Sequence, residues 1–143
     1  MKRLLPMLAV LCLVAACGQQ QPTADAPITW MEAKPNPVVS DLRIAVVDRP
    51  APDRVRLEAR WSESAIDGMC RVDLGLPAGV LIVEGPEQID LDAEGDVGTA
   101  TWILEFPRDG RELDAVVRYC VRTEDGMRAA QCAVRITRTE PGS

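Results

Sequence analysis

The side chains with the most chemical potential are five cysteines, Cys12, Cys17, Cys70, Cys120 and Cys132, and no histidine accompanies them. Without histidine, Ser-His-Asp and Cys-His catalysis are excluded, together with the commonest nitrogen ligand of zinc and copper. Thiolates alone suit thiol exchange or a soft ion such as Cu(I). No CxxC pair concentrates that chemistry in the sequence. A second cluster is acidic: Asp90, Asp92, Glu94 and Asp96 surround Gly95. The spacing has the opening of an EF-hand loop, but the closing bidentate glutamate would fall on Thr101. With no helical periodicity on either side, these four carboxylates are calcium candidates only in a looser sense, and a solvated acidic turn is the plainer reading.

The elements that must position these residues have a period of two. Val55, Leu57, Ala59 and Trp61 alternate with Arg54, Arg56, Glu58 and Arg60, so one face of a strand is dry and the other wet. The same alternation runs through Leu42–Val46, Cys70–Leu76, Ala100–Phe106, Leu113–Val121 and Cys132–Ile136, with a short apolar run at Val80–Val83. Pro50-Ala51-Pro52-Asp53, Asp67-Gly68, Glu84-Gly85-Pro86, Glu94-Gly95-Asp96, Asp109-Gly110 and Asp125-Gly126 mark turns between them. No helix is expected. About seven short strands predict an all-β fold, a single antiparallel β-sandwich of immunoglobulin-like type over 38–138, with a tail at 139–143. Leu74–Gly85 resembles Ig-like repeats of bacterial envelope proteins, although the antibody Cys…Trp…Cys signature is absent. Trp61 and Trp102 fall on apolar parity and are expected in the core. With five aromatic residues in the chain, an aromatic carbohydrate platform is not expected.

On these strands the cysteines have several arrangements open to them. A hairpin around Asp125-Gly126 brings Cys120 and Cys132 near one another, and resembles the Tyr-Cys…Cys hairpin of certain periplasmic Ig-like domains. Alternation, however, places Cys132 inside with Val134 and Cys120 outside with Arg118 and Arg122, so a bond between them needs a β-bulge. Cys70–Cys132, Cys70–Cys120 and no bond are the alternatives, Cys70 being left over in the first case. If the three strands neighbour as in a C–F–G sheet, all three thiols gather at one end and suit thiol exchange or copper. One structural disulfide and one inert core cysteine is the plainer outcome.

The N-terminus carries a different chemistry. Lys2 and Arg3 precede thirteen largely apolar residues, Leu4 to Ala16, too short to span a bilayer but of the length of a signal-peptide core. The run ends Val14-Ala15-Ala16-Cys17, which resembles the lipobox of bacterial lipoproteins. That resemblance implies a diacylglycerol thioether on Cys17, cleavage between Ala16 and Cys17, and further acylation of the new amino terminus, with palmitate-like chains. Two or three chains anchor durably where one holds marginally. Gly18, not aspartate, follows Cys17, which by the same resemblance favours the outer membrane, facing the periplasm.

Residues 18–37 contain three glutamines and four prolines, so 17–37 reads as the lipidated cysteine and a flexible tether. Extended, twenty residues reach about 60 Å. Ile28, Trp30 and Met31 interrupt it and are expected to dock on the domain or the membrane interface. Removing residues 1–16 leaves 127 residues with 14 basic and 22 acidic side chains, a net −8. So acidic a chain does not suit nucleic acid. The expectation is a lipid-anchored, non-enzymatic module without cofactor, binding or scaffolding an envelope protein. A thiol-disulfide or copper-handling protein using Cys70, Cys120 and Cys132 is the alternative.

Overall fold

Val55, Leu57, Ala59 and Trp61 all turn inward from one strand, while the arginines and glutamate between them are at least partly exposed. That single-sided burial repeats on strand after strand and requires a second sheet to cover it. The computed structural model describes residues 27–91 and 97–139. Residues 1–26, with Ala16, Cys17 and the whole lipobox, lie outside them, as do Asp92, Glu94 and Asp96.

The described strands are β1 (Met31–Glu32), β2 (Leu42–Ala51), β3 (Arg54–Trp61), β4 (Met69–Gly75), β5 (Leu81–Glu84), β6 (Gln88–Asp90), β7 (Gly98–Glu105), β8 (Glu112–Thr123) and β9 (Gly126–Thr137). No helix occurs among the described residues. All pairings are antiparallel. One sheet has the order β1-β2-β3-β7-β5 and the other β6-β4-β8-β9. Setting β1 and β6 aside, β2-β3-β7-β5 opposite β4-β8-β9 is the A-B-E-D against C-F-G arrangement of an Ig-like sandwich. The seven expected strands are present, and two short ones add to the edges.

Side chains from both inner faces interdigitate. Ile44, Leu57, Trp102 and Leu104 from one sheet pack with Val72, Val117, Tyr119 and Ile136 from the other. Each fully buried aliphatic chain of this size contributes about 1.5–3 kcal/mol. Trp61 and Trp102 are core, as their parity predicts. Trp102 also donates its indole N–H to the Pro86 carbonyl. Its ring lies so close to the chain that a Cβ on Gly85 would sit 2.5 Å from Cδ1, and Gly85 has φ +110°. Only glycine meets both conditions.

Two tight hairpins set the register. Ala51 pairs with Arg54, so Pro52 and Asp53 alone turn β2 into β3, and Pro50 lies in β2 beside a register shift. Thr123 pairs with Gly126, so Glu124 and Asp125 turn β8 into β9. Within the stretch expected as tether, Met31 and Glu32 pair with Ile44 and Arg43 as β1. Asn36 Oδ1 then accepts the amides of Val38 and Val39 at 2.9 and 3.0 Å and drops both valines into the core. Trp30 lies over the Arg60 guanidinium, 4.5 Å from ring centroid to Cζ.

Candidate functional site

The order β4-β8-β9 puts one cysteine on each of three neighbouring strands, as a C–F–G sheet requires, but it does not bring the thiols together. Cys70 pairs with Val121 and points inward. Cys132 pairs with Val117 and points inward too. The two are two strands and four residues apart, or about 17 Å at ordinary sheet spacings. Cys120 pairs with Arg71 on one side and Ala129 on the other, and shares the outer parity of Arg118 and Arg122. It lies about 11 Å from Cys132, and on the opposite face. Cys70 is its diagonal neighbour, but again across the sheet. A disulfide needs Cα atoms within about 6.8 Å and converging Cβ atoms.

The expected Cys120–Cys132 bond is therefore corrected: no bulge interrupts β8 or β9 to repair the parity, and all three cysteines are free and buried. The gathering of three thiols at one end is corrected for the same reason.

Each thiol has its own surroundings. Cys132 donates to the Met31 carbonyl at 2.9 Å. Burial pushes its pKa up, a backbone hydrogen bond from Ile44 opposes this, and the Glu32 charge adds to it. Cys70 Sγ lies 3.7 Å from the Gly68 carbonyl. Cys120 Sγ lies 3.8 Å from Asp73 Oδ2. Burial raises its pKa, the Asp73 charge adds, and Arg71 and Arg118 pull the other way without winning. A raised pKa leaves little thiolate at neutral pH, which is the reverse of what a nucleophilic or exchanging cysteine needs.

Asp90, the one calcium candidate among the described residues, sits exposed on β6, where it accepts from Gln88 Nε2 at 2.9 Å and faces Arg71 in register. No group of three or more Cys, Asp or Glu side chains suits a metal ion among the described residues.

The outer face of the four-stranded sheet does carry a pocket. It encloses about 320 Å³ and has Cys120 in its lining. Across the strands one row reads Met69, Arg122, Met127, each paired in register with the next. The row beside it reads Asp90, Arg71, Cys120, Ala129. Met69 and Met127 are 71% and 56% exposed, unusual for large apolar side chains, while Cys120 in the second row is 6% exposed. Leu91 adds an apolar wall; its amide donates to the Cys70 carbonyl at 3.0 Å. Arg71 is held by Asp73, Nε to Oδ1 at 3.1 Å. Arg122 has no carboxylate within ion-pair distance among the described residues, whereas six other arginines do. The hydrophobic period of β8 shows where Arg122 points; that Met69 and Met127 flank it depends on the register of three strands, which no local pattern displays.

No family model and no curated protein sequence matches the chain. Among solved structures it is similar to the GAE domain of GGA2p from Saccharomyces cerevisiae, at 9% identity and a TM-score of 0.44, over 78% of this chain and 100% of that one.

Proposed function

We propose that this protein is a lipid-anchored module of a bacterial cell envelope that binds or scaffolds another envelope protein and performs no catalysis. The observation that carries the reading is the run Lys2-Arg3, Leu4–Ala16, Cys17: a charged start, an apolar stretch too short for a span, and small residues before one cysteine. Acyl chains on Cys17 hold the protein to lipid, and Gly18 after it favours the periplasmic side of the outer membrane.

A β-sandwich behind such an anchor supports the binding role. Its sheet edges and faces are surfaces on which proteins recruit partners. The chain has no histidine, and among the described residues the raised pKa of Cys120 and Cys132 speaks against an activated thiol nucleophile. The separation of the three thiols in the sheet speaks against the thiol-disulfide or copper reading.

The test is growth with labelled palmitate. Label is expected in the mature protein and absent from the Cys17→Ser variant, which should also leave the membrane fraction. An unlabelled wild type, or a Cys17→Ser variant that still sediments with lipid, rejects the anchor.

A further inference from the structure

We propose that the pocket between Met69 and Met127 is a peptide-recognition site that takes an acidic side chain flanked by apolar residues, with Arg122 as the charged contact. This rests on the reading of the domain as a binding module and names the chemistry of its partner.

The argument starts from Arg122. It occupies the middle of a row on a solvent-facing sheet, with no carboxylate partner among the described residues, in a chain with six more acidic than basic side chains. Arg71 stands one row away, so two guanidiniums border the pocket. Arginine matches a carboxylate with two parallel N–H donors, and a carboxylate brought between two arginines makes charge-assisted hydrogen bonds. Asp73 pairs with Arg71 already, and Asp90 faces it in register while accepting from Gln88. The charge still lacking an answer is therefore that of Arg122.

The walls define the rest of the ligand. Met69 and Met127 stand on either side of Arg122 and leave most of their surface to water. Unbranched thioethers adapt to varied apolar shapes, and they recur on surfaces that bind peptides. Leu91 and the nearly buried Cys120 continue the apolar lining below them. A volume of about 320 Å³ suits one or two side chains and lies at the small end of ligand pockets. An ion alone would leave the methionines wet, and an aliphatic group alone would desolvate Arg122 without a partner. A carboxylate with apolar neighbours satisfies both. Same-face rows lie two residues, or about 6.7 Å, apart along the strands, which is the same-side repeat of an extended chain, so a short strand-like segment lays alternate side chains on successive rows.

The experiment uses the mature lipoprotein in detergent and a fluorescein-labelled peptide, Gly-Gly-Leu-Asp-Leu-amide, read by anisotropy. Saturable binding is expected. Replacing the peptide's aspartate by asparagine, or making Arg122→Gln, should each weaken it about tenfold, the size of a lost charge-assisted contact. Met69→Ser with Met127→Ser should weaken it by a similar factor, and Arg54→Gln on the other sheet should leave it unchanged. Equal affinity for the two peptides, wild-type binding by Arg122→Gln, or no saturable change up to about 1 mM peptide overturns the proposal. Displacement of the peptide by decanoate at lower concentration than by unlabelled peptide also overturns it, because a carboxylate on an alkyl chain would then be the true ligand. Photo-crosslinkers placed on β5 and β9 in intact envelopes separate the two levels: a partner captured there with no peptide binding removes this pocket and leaves the binding module standing.

Discussion

The thiol of Cys132 donates to the carbonyl of Met31 at 2.9 Å, across a sequence separation of 101 residues. The bond ties β9, at the edge of one sheet, to β1, at the edge of the other, and spans the seam where the sandwich would otherwise be open. Cys132→Ala removes it and takes one partner from the Met31 carbonyl. The expected cost is about 1 kcal/mol, read as a lower urea midpoint with unchanged slope.

The buried thiols predict a pH dependence. The folded pKa values of Cys120 and Cys132 are raised above the ordinary 9.0. Below pH 9 both states hold these protons and stability does not depend on them. As pH rises past 9 the unfolded chain loses the protons first, the native state then binds more, and stability falls until the folded thiols also titrate. Urea midpoints measured from pH 7 to above 10 should decline past about 9, and less steeply in Cys120→Ala with Cys132→Ala. A variant with the wild-type slope would refute the assignment.

Reactivity follows from the same burial. With a thiol-specific reagent at pH 8, Cys70, Cys120 and Cys132 should react slowly in the native protein and rapidly in urea. Rapid modification of any one of them in the native state would revive thiol chemistry as a function.

Gly85 is expected to be intolerant. An alanine there needs φ +110° and places its Cβ 2.5 Å from the Trp102 ring. The backbone alone costs about 1–3 kcal/mol, before the ring moves. Gly126, also at positive φ but with nothing near its Cβ position, is the control: Gly126→Ala should cost less. Thermal melts of the two variants compare them directly.

Trp30 is the accessible indole of the three. Its contact with Arg60 contributes about 0.5–1 kcal/mol. Trp30→Phe should abolish most iodide quenching of fluorescence, since Trp61 and Trp102 are buried. Quenching that persists in the variant would show that one of the core indoles is reached.

Much of the fold is legible in residue parity. Alternation in Arg54–Trp61 and Leu113–Val121 assigns strands and faces, and the same parity puts Cys120 and Cys132 on opposite faces, against the disulfide expected between them. β1 is hidden because Met31 and Glu32 lie between prolines, and their strand character comes from β2 and β9, not from their own pattern. β6 is hidden because Gln88-Ile89-Asp90 is short and mostly polar. The pocket is hidden for a further reason: Met69, Arg122 and Met127 belong to three strands, and only the register Met69↔Arg122↔Met127 makes them neighbours.

The two-residue β1 has a mechanical consequence. The described chain enters the sandwich there, held by two register pairs to β2, the Trp30–Arg60 stack and one thiol bond to β9. Tension arriving from the N-terminal side meets this attachment before it meets the eight-residue ladder between β3 and β7. Under such a pull β1 is expected to act as a fuse, peeling first, freeing several residues and sparing the core behind it.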